Sequence, residues 1–486
     1  MLPTGLLRGF VFPAAELLTR TRFWTYFRES LRFERWDDSR RHALADARLA
    51  EVWNLATRTA LHQQRLERAG ILPGPVKPAD ARELLGRLPP VTKAGFRAHF
   101  PDGVTTGGAD DWRFQSTAGT TDRMTVIADF RKRDYARSGE LRALHAAVGR
   151  EAGVATVEIP PNACNVVCGI AETGPRSLFG YLWYSVRRHS LFGREAATEL
   201  RGRFERQMVF RLDTLPPIDP APPAVLAEVL DRYLADVVRL RPLHLRGFPV
   251  YLLWLADRCA DTGVRPAGLK AAGPYGGLTS PVMARRIAAG LGCGYAQKYG
   301  TSELGVVAAA CGRSPGMHVF EDVFRVEVLR RGQPAGPGEL GRLAVTDLVN
   351  TAMPLIRYEV GDVGRLLAGE CPCGRRTARL EVLGRAQELL DSPRGPLTAA
   401  DVADTVFCDP AAANVRVEEV GPGNFEATLV GRTSGATPDL DAWRTRFEVL
   451  HGGVKRLRVK CAPFVQPETS GKYRFVHPRA GAAEVL

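Results

Sequence analysis

The 486-residue sequence lacks the long apolar run that a membrane-spanning helix needs. Such a helix takes about 18 or more apolar residues, and the apolar patch near the N-terminus, Gly9 to Ala15, is interrupted by Pro13 and followed by Glu16. No clear cleavage site follows this patch, which argues against a signal peptide. The sequence therefore predicts a cytoplasmic protein with no membrane insertion.

Long runs of one charge are also absent. The net charge is +13, from 66 basic and 53 acidic residues, yet no five or six consecutive positions are basic. Proteins that bind nucleic acids usually concentrate their positive charge on one stretch or face. We therefore expect no nucleic-acid partner, and an anionic small molecule fits the positive balance as well.

Cysteines are few and odd in number, nine in all, which argues for thiols or a metal site rather than a disulfide frame. Cys311 and His318 form a C-x6-H pair, and Cys371 and Cys373 form a C-x-C pair. Three thiolates and an imidazole suit tetrahedral Zn²⁺, although the spacing is not that of a standard finger. Such a closed set predicts a structural zinc site. We interpret the other cysteines as core residues: Cys164, Cys168, Cys259, Cys293, Cys408 and Cys461.

Residues 1 to about 100 are predicted to form a helical leader. Apolar residues recur every three or four positions between Ser39 and Arg68, which indicates one amphipathic helix that ends before Gly70. Thr92 is a plausible N-cap for a short helix that runs to His99.

From about residue 110 to 345, strand-like and helix-like runs alternate, which is typical of an α/β domain with parallel strands. The strand-like runs are Met124 to Phe130, Ala155 to Ile159, Cys293 to Tyr299, Phe324 to Leu329 and Arg342 to Thr346; the helix-like runs are Tyr135 to Val148, Leu226 to Leu240, Tyr251 to Asp261 and Pro281 to Leu291. A compositional hinge follows near Gly384-Arg385. The predicted fold class is therefore α/β, with a large multi-layered N-terminal domain (1–384) that has mixed sheets, and a small mobile α+β domain (385–486).

A loop rich in hydroxyls and small residues precedes the first of these strands. It reads Ser116-Thr117-Ala118-Gly119-Thr120-Thr121-Asp122-Arg123-Met124-Thr125. Its hydroxyls and backbone N–H groups are suited to wrap an anion such as a polyphosphate. It is not a Walker loop, because no Gly-Lys-Ser/Thr follows, and an ordinary turn is the alternative interpretation.

Four further stretches carry polar residues suited to a nucleotide. The first, Lys298 to Gly305, offers the aromatic Tyr299, the hydroxyls of Thr301 and Ser302, and the carboxylate of Glu303, which suits Mg²⁺. The second, Met353 to Gly364, contains the Gly361-Asp362 pair, with Asp362 placed to accept from sugar hydroxyls. The other two are Arg385 at the hinge and Lys472 in Ser470-Gly471-Lys472-Tyr473-Arg474, a flexible loop. Taken alone, each stretch has an ordinary alternative: a turn for the first two, and a solvated surface charge for Arg385 and Lys472.

In this order and spacing, the five stretches resemble the adenylate-forming (acyl-activating) superfamily. The most similar branch is the phenylacetate–CoA ligase and coenzyme F390 synthetase-like group, because Arg87-Leu88-Pro89-Pro90-Val91-Thr92-Lys93 and Arg241 to Pro249 also resemble its leader turn and its "RP…hGyP" stretch. The resemblance covers essentially the whole chain.

The resemblance implies ATP-dependent activation of a carboxylic acid to acyl-AMP, followed by transfer to CoA. Thr117, Ala118, Gly119, Thr120 and Thr121 would cradle the phosphates of ATP. Tyr299, with Gly300 and Thr301, would stack on adenine, Ser302 and Glu303 would meet the α-phosphate and Mg²⁺, and Asp362 would hold the ribose. Arg385 would contact ribose or phosphate, and Lys472 would bridge the carboxylate and the α-phosphate. The small domain would rotate between the two steps. Related proteins with a similar Cys–His–Cys–Cys set carry structural zinc.

The chain departs from the family pattern at several positions. Asp122 and Met124 stand where the phosphate loop usually has Gly-x-Pro, Gly276 stands where Glu is common before the adenine loop, and Gln387 replaces the usual Asp at the hinge. Two alternatives therefore stay open. One is an adenylate-forming enzyme with a non-CoA acceptor, such as an amine, a carrier-protein thiol or a deazaflavin. The other is a diverged, non-catalytic nucleotide-binding protein.

An aromatic-rich stretch suggests the kind of acid that is activated. Residues 159–190, with Phe179, Tyr181, Trp183 and Tyr184, and Ala271 to Leu278 are expected to line the acyl pocket. This favours a small aryl or hydrophobic acid, and core packing explains the aromatics equally well. A homodimer is the default expectation, because two-fold dimers are the commonest soluble oligomers.

Overall fold

The computed structural model describes residues 4–19, 21–107, 113–116, 124–160, 210–479 and 486. The helices are α1 (Thr4–Leu6), α2 (Phe12–Thr19), α3 (Phe23–Phe33), α4 (Asp38–Ala56), α5 (Ala60–Arg68), α6 (Pro78–Arg87), α7 (Lys93–His99), α8 (Phe130–Val148), α9 (Pro223–Leu240), α10 (Pro249–Thr262), α11 (Pro281–Leu291), α12 (Ala399–Phe407) and α13 (Leu440–His451), with a π-helical segment Leu7–Val11 and a 3-10 turn Ala386–Glu388.

The strands are β1 (Arg113–Ser116), β2 (Thr125–Ala128), β3 (Val154–Ile159), β4 (Phe210–Thr214), β5 (His244–Gly247), β6 (Ala271–Pro274), β7 (Gly294–Tyr295), β8 (Lys298–Thr301), β9 (Gly305–Ala310), β10 (Met317–Val319), β11 (Phe324–Arg330), β12 (Gln333–Pro334), β13 (Gly341–Asp347), β14 (Tyr358–Leu367), β15 (Arg379–Arg385), β16 (Ala412–Gly421), β17 (Asn424–Gly431), β18 (Arg456–Ala462) and β19 (Val476–His477). This mixture of helices and several sheets confirms the predicted fold class.

The chain divides into two compact units that interleave along the sequence. We call the first the parallel-sheet unit; it contains Met1–Arg20, Ala147–Gln297 and Leu383–Val485. The second is the antiparallel-sheet unit, with Thr21–Ala146, Lys298–Val382 and Leu486. The division into domains 1–384 and 385–486 stays a prediction.

The parallel-sheet unit is built on a five-stranded sheet of order β4-β3-β5-β6-β7, in which all neighbouring strands are parallel. This confirms the parallel strands predicted for this part of the chain. Helix α10 starts with Pro249 at a position where no backbone donor is needed and ends at Gly263 in a left-handed conformation. Its side chains are buried almost throughout its length, so α10 is a core helix of the unit.

A four-stranded sheet of order β18-β17-β16-β19 belongs to the same unit. Strands β16 and β17 are antiparallel, whereas β17–β18 and β16–β19 are parallel. With α12 and α13 this sheet confirms the α+β style predicted for the C-terminal residues. One apolar core continues from α10 and α11 into this sheet, and the indole of Trp254 donates a hydrogen bond to the Ala413 carbonyl, 3.2 Å away.

The antiparallel-sheet unit carries an eight-stranded sheet of order β12-β11-β13-β14-β15-β10-β9-β8 and the two-stranded sheet β1-β2. The pairs β8–β9, β9–β10, β11–β13 and β13–β14 are antiparallel. The prediction of parallel strands was therefore wrong for the strands between residues 298 and 345, because these strands follow one another through short connections that cannot return a chain to a parallel neighbour. The run Cys293 to Tyr299 was also predicted as one strand, but it contributes to β7 and β8 in different sheets.

Helices α3 to α7 confirm the helical character of the leader, but the single helix predicted from Ser39 to Arg68 is two. Helix α4 ends at Ala56, and α5 begins at Ala60. The hydroxyls of Thr57 and Thr59 donate to the Asn54 and Ala56 carbonyls at 2.9 Å. Side chains of this kind compete with the helical backbone for its carbonyl groups. The Thr92 side chain accepts a hydrogen bond at the start of α7, as predicted.

Within the described ranges, no helix is long and apolar enough to cross a membrane.

Candidate active site

Two of the predicted nucleotide-binding residues meet in the antiparallel-sheet unit. Tyr299 on β8 donates its hydroxyl to the carboxylate of Asp362 on β14, with an oxygen–oxygen distance of 2.7 Å. Both side chains are buried, at 8% and 6% exposure. The order of the eight-stranded sheet separates β8 from β14 by three strands, so the side chains, not the backbone, join these positions.

A second buried pair involves Glu303, which lies in the connection between β8 and β9, and Lys93. Glu303 is 7% exposed, and its Oε1 lies 2.8 Å from Lys93 Nζ and accepts a hydrogen bond from the Tyr358 hydroxyl at 3.1 Å. Burial of Glu303 opposes ionisation, but the hydrogen bond and charge of Lys93 outweigh it, so the pKa of Glu303 lies below its ordinary value. Glu303 is therefore a buried carboxylate held in its charged form.

The leader turn places Lys93 beside Glu303. Val91 forms a parallel bridge to Tyr358, with hydrogen bonds of 3.0 Å from Val91 N to the Arg357 carbonyl and 2.9 Å from Glu359 N to the Val91 carbonyl. The Arg357 guanidinium, 1% exposed, donates to the Gly86 and Leu88 carbonyls at 3.1 and 2.7 Å. Lys93 then begins α7, so its position follows from contacts made by its neighbours.

The loop that bears Glu303 is supported from behind by a buried ion pair. Lys132 on α8 donates to the Leu304 carbonyl at 2.7 Å and lies 2.6 Å from the Asp347 carboxylate. Gly300 permits the close approach of β8 and β9, because a Cβ at this position would lie 2.4 Å from the Gly305 carbonyl oxygen. Ser302 is exposed in this connection and Thr301 is half-buried.

Arg385 and Lys472 belong to the parallel-sheet unit and are both exposed. Arg385 ends β15 and precedes the 3-10 turn Ala386–Glu388. Lys472 lies on a tight turn in which its carbonyl accepts from Glu468 N at 2.8 Å and the Glu468 carbonyl accepts from Gly471 N at 2.7 Å. Arg474 joins the two regions, because it donates to the Gln387 carbonyl at 3.0 Å and lies 3.4 Å from Glu388.

Several predicted site residues lie outside the described residues. They are the phosphate-loop residues Thr117, Ala118, Gly119, Thr120 and Thr121, the departure at Asp122, and the acyl-pocket aromatics Phe179, Tyr181, Trp183 and Tyr184. Cys164 and Cys168 also lie there. The described part of the predicted acyl pocket includes β6 and Gly276, where a Cβ would lie 2.5 Å from the Phe248 ring. A glutamate at this position would have to displace that ring and take a left-handed backbone conformation, with φ of 74°.

Lys93, Tyr358 and Lys132 are contacts of the site that sequence reasoning did not assign. Lys93 and Tyr358 lie in stretches that the sequence predicts to be functional. The sequence does not predict that both side chains contact Glu303. Nothing in the sequence indicates that Lys132 is buried at the site, since a lysine on a helix is ordinarily a solvated surface residue. Its burial, at 4% exposure, appears only in the structure.

The four residues of the predicted metal set come together in the antiparallel-sheet unit. The ligand atoms of Cys311, His318, Cys371 and Cys373 all lie within 4.8 Å of one another. Cys311 and Cys371 have sulfurs 3.5 Å apart, and Cys373 Sγ lies 3.3 Å from His318 Nε2. The other ring nitrogen, His318 Nδ1, lies 3.2 Å from both the carbonyl and the hydroxyl of Thr377, which orients Nε2 toward the thiols. The donor set and its orientation fit Zn²⁺.

Of the cysteines interpreted as core residues, Cys259 is buried and Cys293 half-buried. Cys408 and Cys461 are exposed, so the interpretation was wrong for these two. Cys408 follows the last residue of α12, and Cys461 lies on strand β18, four of whose seven residues are exposed.

Comparison with known proteins places these contacts in context. No protein-family profile matches the chain. The phenylacetate-coenzyme A ligase of Thermus thermophilus is 26% identical over 362 residues, which span 72% of this chain and 71% of the relative. The protein of the same name from Escherichia coli K12 is 26% identical over 344 residues, or 68% and 67% of the two chains.

This chain is similar to proteins named phenylacetate-coenzyme A ligase over about 70% of its length, at 26% identity. The resemblance stated from the five stretches is thereby confirmed, and the predicted enzyme class, an acid–thiol ligase, agrees with the names of these relatives. A crystal structure of 2-hydroxyisobutyryl-CoA ligase in the postadenylation state, in complex with R3-HIB-AMP, has the same fold. Its TM-score is 0.66 at 18% identity, and the alignment covers 92% of this chain and 91% of that one.

Proposed function

We propose that this phenylacetate–CoA ligase-like protein activates a small carboxylic acid with ATP and transfers the acyl group to CoA. The carboxylate oxygen would attack the α-phosphorus, the bond to pyrophosphate would break, and acyl-AMP would form. The CoA thiolate would then attack the acyl carbonyl and release AMP. The observation that carries the proposal is one β8–β9 hairpin that bears both the buried, charged Glu303 and Tyr299, which is hydrogen-bonded to Asp362, in a chain similar to this group.

Each residue has a role in the proposed adenylation step. The Tyr299 ring would stack on adenine while its hydroxyl orients Asp362, which would accept from the ribose hydroxyls. Ser302 and Arg385 would contact phosphate, and Lys472 would stabilise the charge that develops between the acid and the α-phosphate. Thr117, Ala118, Gly119, Thr120 and Thr121 would hold the outer phosphates; Gly300 and Thr301 complete the adenine loop.

Glu303 supplies the kind of ligand that Mg²⁺ prefers, a charged carboxylate oxygen. When bound, the ion would neutralise the phosphate oxygens of ATP. The role of this chain is to keep Glu303 ionised, and Lys93 does so by its hydrogen bond and charge.

The experiment is pyrophosphate release with ATP, Mg²⁺ and a panel of aryl and hydrophobic acids. We expect release with at least one acid, and a loss of about 10²- to 10³-fold in Lys472→Ala, the size typical of a lost transition-state contact. No release with any acid, together with no ATP binding by calorimetry, would favour the non-catalytic alternative. If acyl-AMP forms but product does not depend on CoA in mass spectrometry, the acceptor is an amine, a carrier-protein thiol or a deazaflavin instead.

We further propose that Cys311, His318, Cys371 and Cys373 hold one structural Zn²⁺. With four protein ligands the ion would be closed to substrate and would stabilise the loops that carry it. The aryl or hydrophobic nature of the acid, a cytoplasmic location and a homodimer stay predictions from the sequence.

A further inference from the structure

The loop that carries Lys472 is followed at once by Tyr473, whose ring packs on helix α10 of the same unit. Tyr473 is 9% exposed, while Lys472 beside it is exposed. The Tyr473 ring packs edge-on against Trp254 and Tyr251 of α10, with centroid distances of 5.7 and 6.3 Å. Such edge-to-face contacts add to the burial of the ring. The residue next to the proposed catalytic lysine is thus anchored on a core helix.

The anchoring works through the ring and not through the phenol. Neither Tyr473 nor Tyr251 has a hydrogen-bond partner for its hydroxyl among the described residues. Burial raises the pKa of the Tyr473 phenol, so the group stays neutral and is no proton acceptor at physiological pH. The role left to the side chain is to fill the space beside Trp254.

The chain on either side of the ring leaves Lys472 little freedom. Before it, the Glu468–Lys472 turn is closed by two backbone hydrogen bonds, and Gly471 takes a left-handed conformation with φ of 76°. After it, Arg474 is held by Gln387 and Glu388, and the Phe475 carbonyl accepts from Val417 N at 2.8 Å. Tyr473 is the one residue between the turn and these contacts.

We propose that Tyr473 is a positioning residue for Lys472, and that its ring, seated against Trp254, fixes the lysine loop for the adenylation step. The proposal rests on the proposed function, in which Lys472 acts on acyl-AMP formation and not on the transfer to CoA. Loss of the ring should therefore slow the first half-reaction and spare the second. A general loss of folding would slow both.

The test compares Tyr473→Leu with two controls in the full-length chain. Tyr473→Phe keeps the ring and removes only the unpartnered hydroxyl. Phe447→Leu removes a fully buried ring of the same unit, one that packs on Phe425 and Trp443. Adenylation is measured by pyrophosphate exchange with the acid that wild type uses, and transfer is measured from supplied acyl-AMP and CoA.

We expect Tyr473→Leu to lower kcat for adenylation by about 10- to 100-fold, the cost of a displaced catalytic group. Its KM for ATP and its transfer rate should stay within about twofold of wild type. Both controls should keep both rates within about twofold, because neither alters the lysine loop. Equal losses in both half-reactions of Tyr473→Leu, or no loss in adenylation, would overturn the proposal.

Hydrogen exchange of a peptide spanning residues 465–477 separates this inference from the proposed function. We expect faster exchange in Tyr473→Leu and unchanged exchange in Tyr473→Phe. Unchanged exchange in Tyr473→Leu overturns the anchor whatever the activity. A wild type that exchanges no pyrophosphate with any acid contradicts the proposed function, and the peptide still reports on the anchor.

Discussion

Glu303 shows how a single carboxylate can be buried and still be charged. Its side chain is 7% exposed, and one of its oxygens has Lys93 at 2.8 Å and the Tyr358 hydroxyl at 3.1 Å. Lys93 follows the leader turn, and Tyr358 starts β14. Arg357 holds these two segments together through its hydrogen bonds to the Gly86 and Leu88 carbonyls. The charge of Glu303 is therefore a consequence of how the leader packs.

Replacing Lys93 by methionine should raise the pKa of Glu303, because burial is then no longer opposed by a positive charge. The lost charged hydrogen bond should lower the free energy of unfolding at pH 7 by about 2 kcal/mol. A carboxylate with a lowered pKa stabilises the fold above its ordinary pKa, about 4.5, and loses that contribution as pH falls through its folded value. The difference between wild type and Lys93→Met should therefore shrink as pH falls from 7, through the raised pKa of Glu303 in the variant, to below its lowered pKa in wild type.

Urea unfolding across this pH range checks the prediction. Lys298→Met is the matched control, because Lys298 pairs at 2.7 Å with Glu140, whose side chain is 46% exposed. A pair of this kind contributes about 1 kcal/mol or less. A difference for Lys93→Met that is the same at both ends of the range would contradict the assigned charge state.

At the scale of elements, the β8–β9 hairpin carries Tyr299 on strand β8 and Ser302 and Glu303 in the short connection that follows. Its tightness depends on Gly300, which lies against the backbone of Gly305. Lys132 secures the hairpin from α8 through the Leu304 carbonyl.

Gly300→Ala should therefore destabilise the protein, whereas the same change at Gly86 should stabilise it. The new Cβ would lie 2.4 Å from the Gly305 carbonyl oxygen, and the strand pairing would have to shift. We expect a loss of about 2 kcal/mol, typical of overpacking. Gly86 lies in α6 with nothing within 4 Å of an added Cβ, so alanine there should add about 0.5 to 1 kcal/mol. Thermal unfolding of the two variants checks the opposite signs.

The predicted metal set, Cys311, His318, Cys371 and Cys373, can be tested by measuring the zinc content of the protein. We expect about one zinc per chain by elemental analysis, the stoichiometry of a closed four-ligand site. Cys371→Ser should lose the metal, and its melting temperature should fall toward that of chelator-treated wild type. Cys408→Ser, at an exposed cysteine outside the set, should keep both. Protein that binds no zinc after refolding with the ion present would rule out this site.

At the scale of the whole molecule, the C-terminal sheet shares an apolar core with α10 and α11 in one compact unit. A polar clamp accompanies this core. Arg286 of α11 binds both oxygens of Asp257 at 2.8 and 2.6 Å and also donates to the Asp409, Pro410 and Ala412 carbonyls. The rotation of residues 385–486 remains a prediction, and these are contacts that it would have to release.

Arg286→Gln should lower the free energy of unfolding by about 3 to 5 kcal/mol. Burial already raises the pKa of Asp257 to about 6, and the variant would leave this buried carboxyl without its main partner. Arg258→Gln is the matched control. Arg258 also binds an aspartate through two hydrogen bonds, at 2.7 and 2.6 Å, but Asp231 is 48% exposed. The control should cost about 1 kcal/mol or less. If urea unfolding gives the same loss of unfolding free energy for Arg286→Gln and Arg258→Gln, the buried clamp contributes no more stability than an exposed ion pair.

The sequence by itself predicted most of the described helices, fewer than half of the described strands, and the family resemblance. Pro281–Leu291 was predicted to the residue, because Pro and Gly bound an apolar period of 3.6. The grouping of Cys311, His318, Cys371 and Cys373 was also predicted, since thiol and imidazole chemistry is specific. Local pattern is enough for these features.

Only the tertiary structure decided how strands pair and what the site residues touch. Strands β7 and β8 are three residues apart and enter different sheets, which no local period records. Lys93 reaches Glu303 from 210 positions away in the chain because Arg357 and the Val91 bridge hold the leader turn against β14. Contacts between residues so distant in sequence depend on packing, and packing is a property of the folded chain.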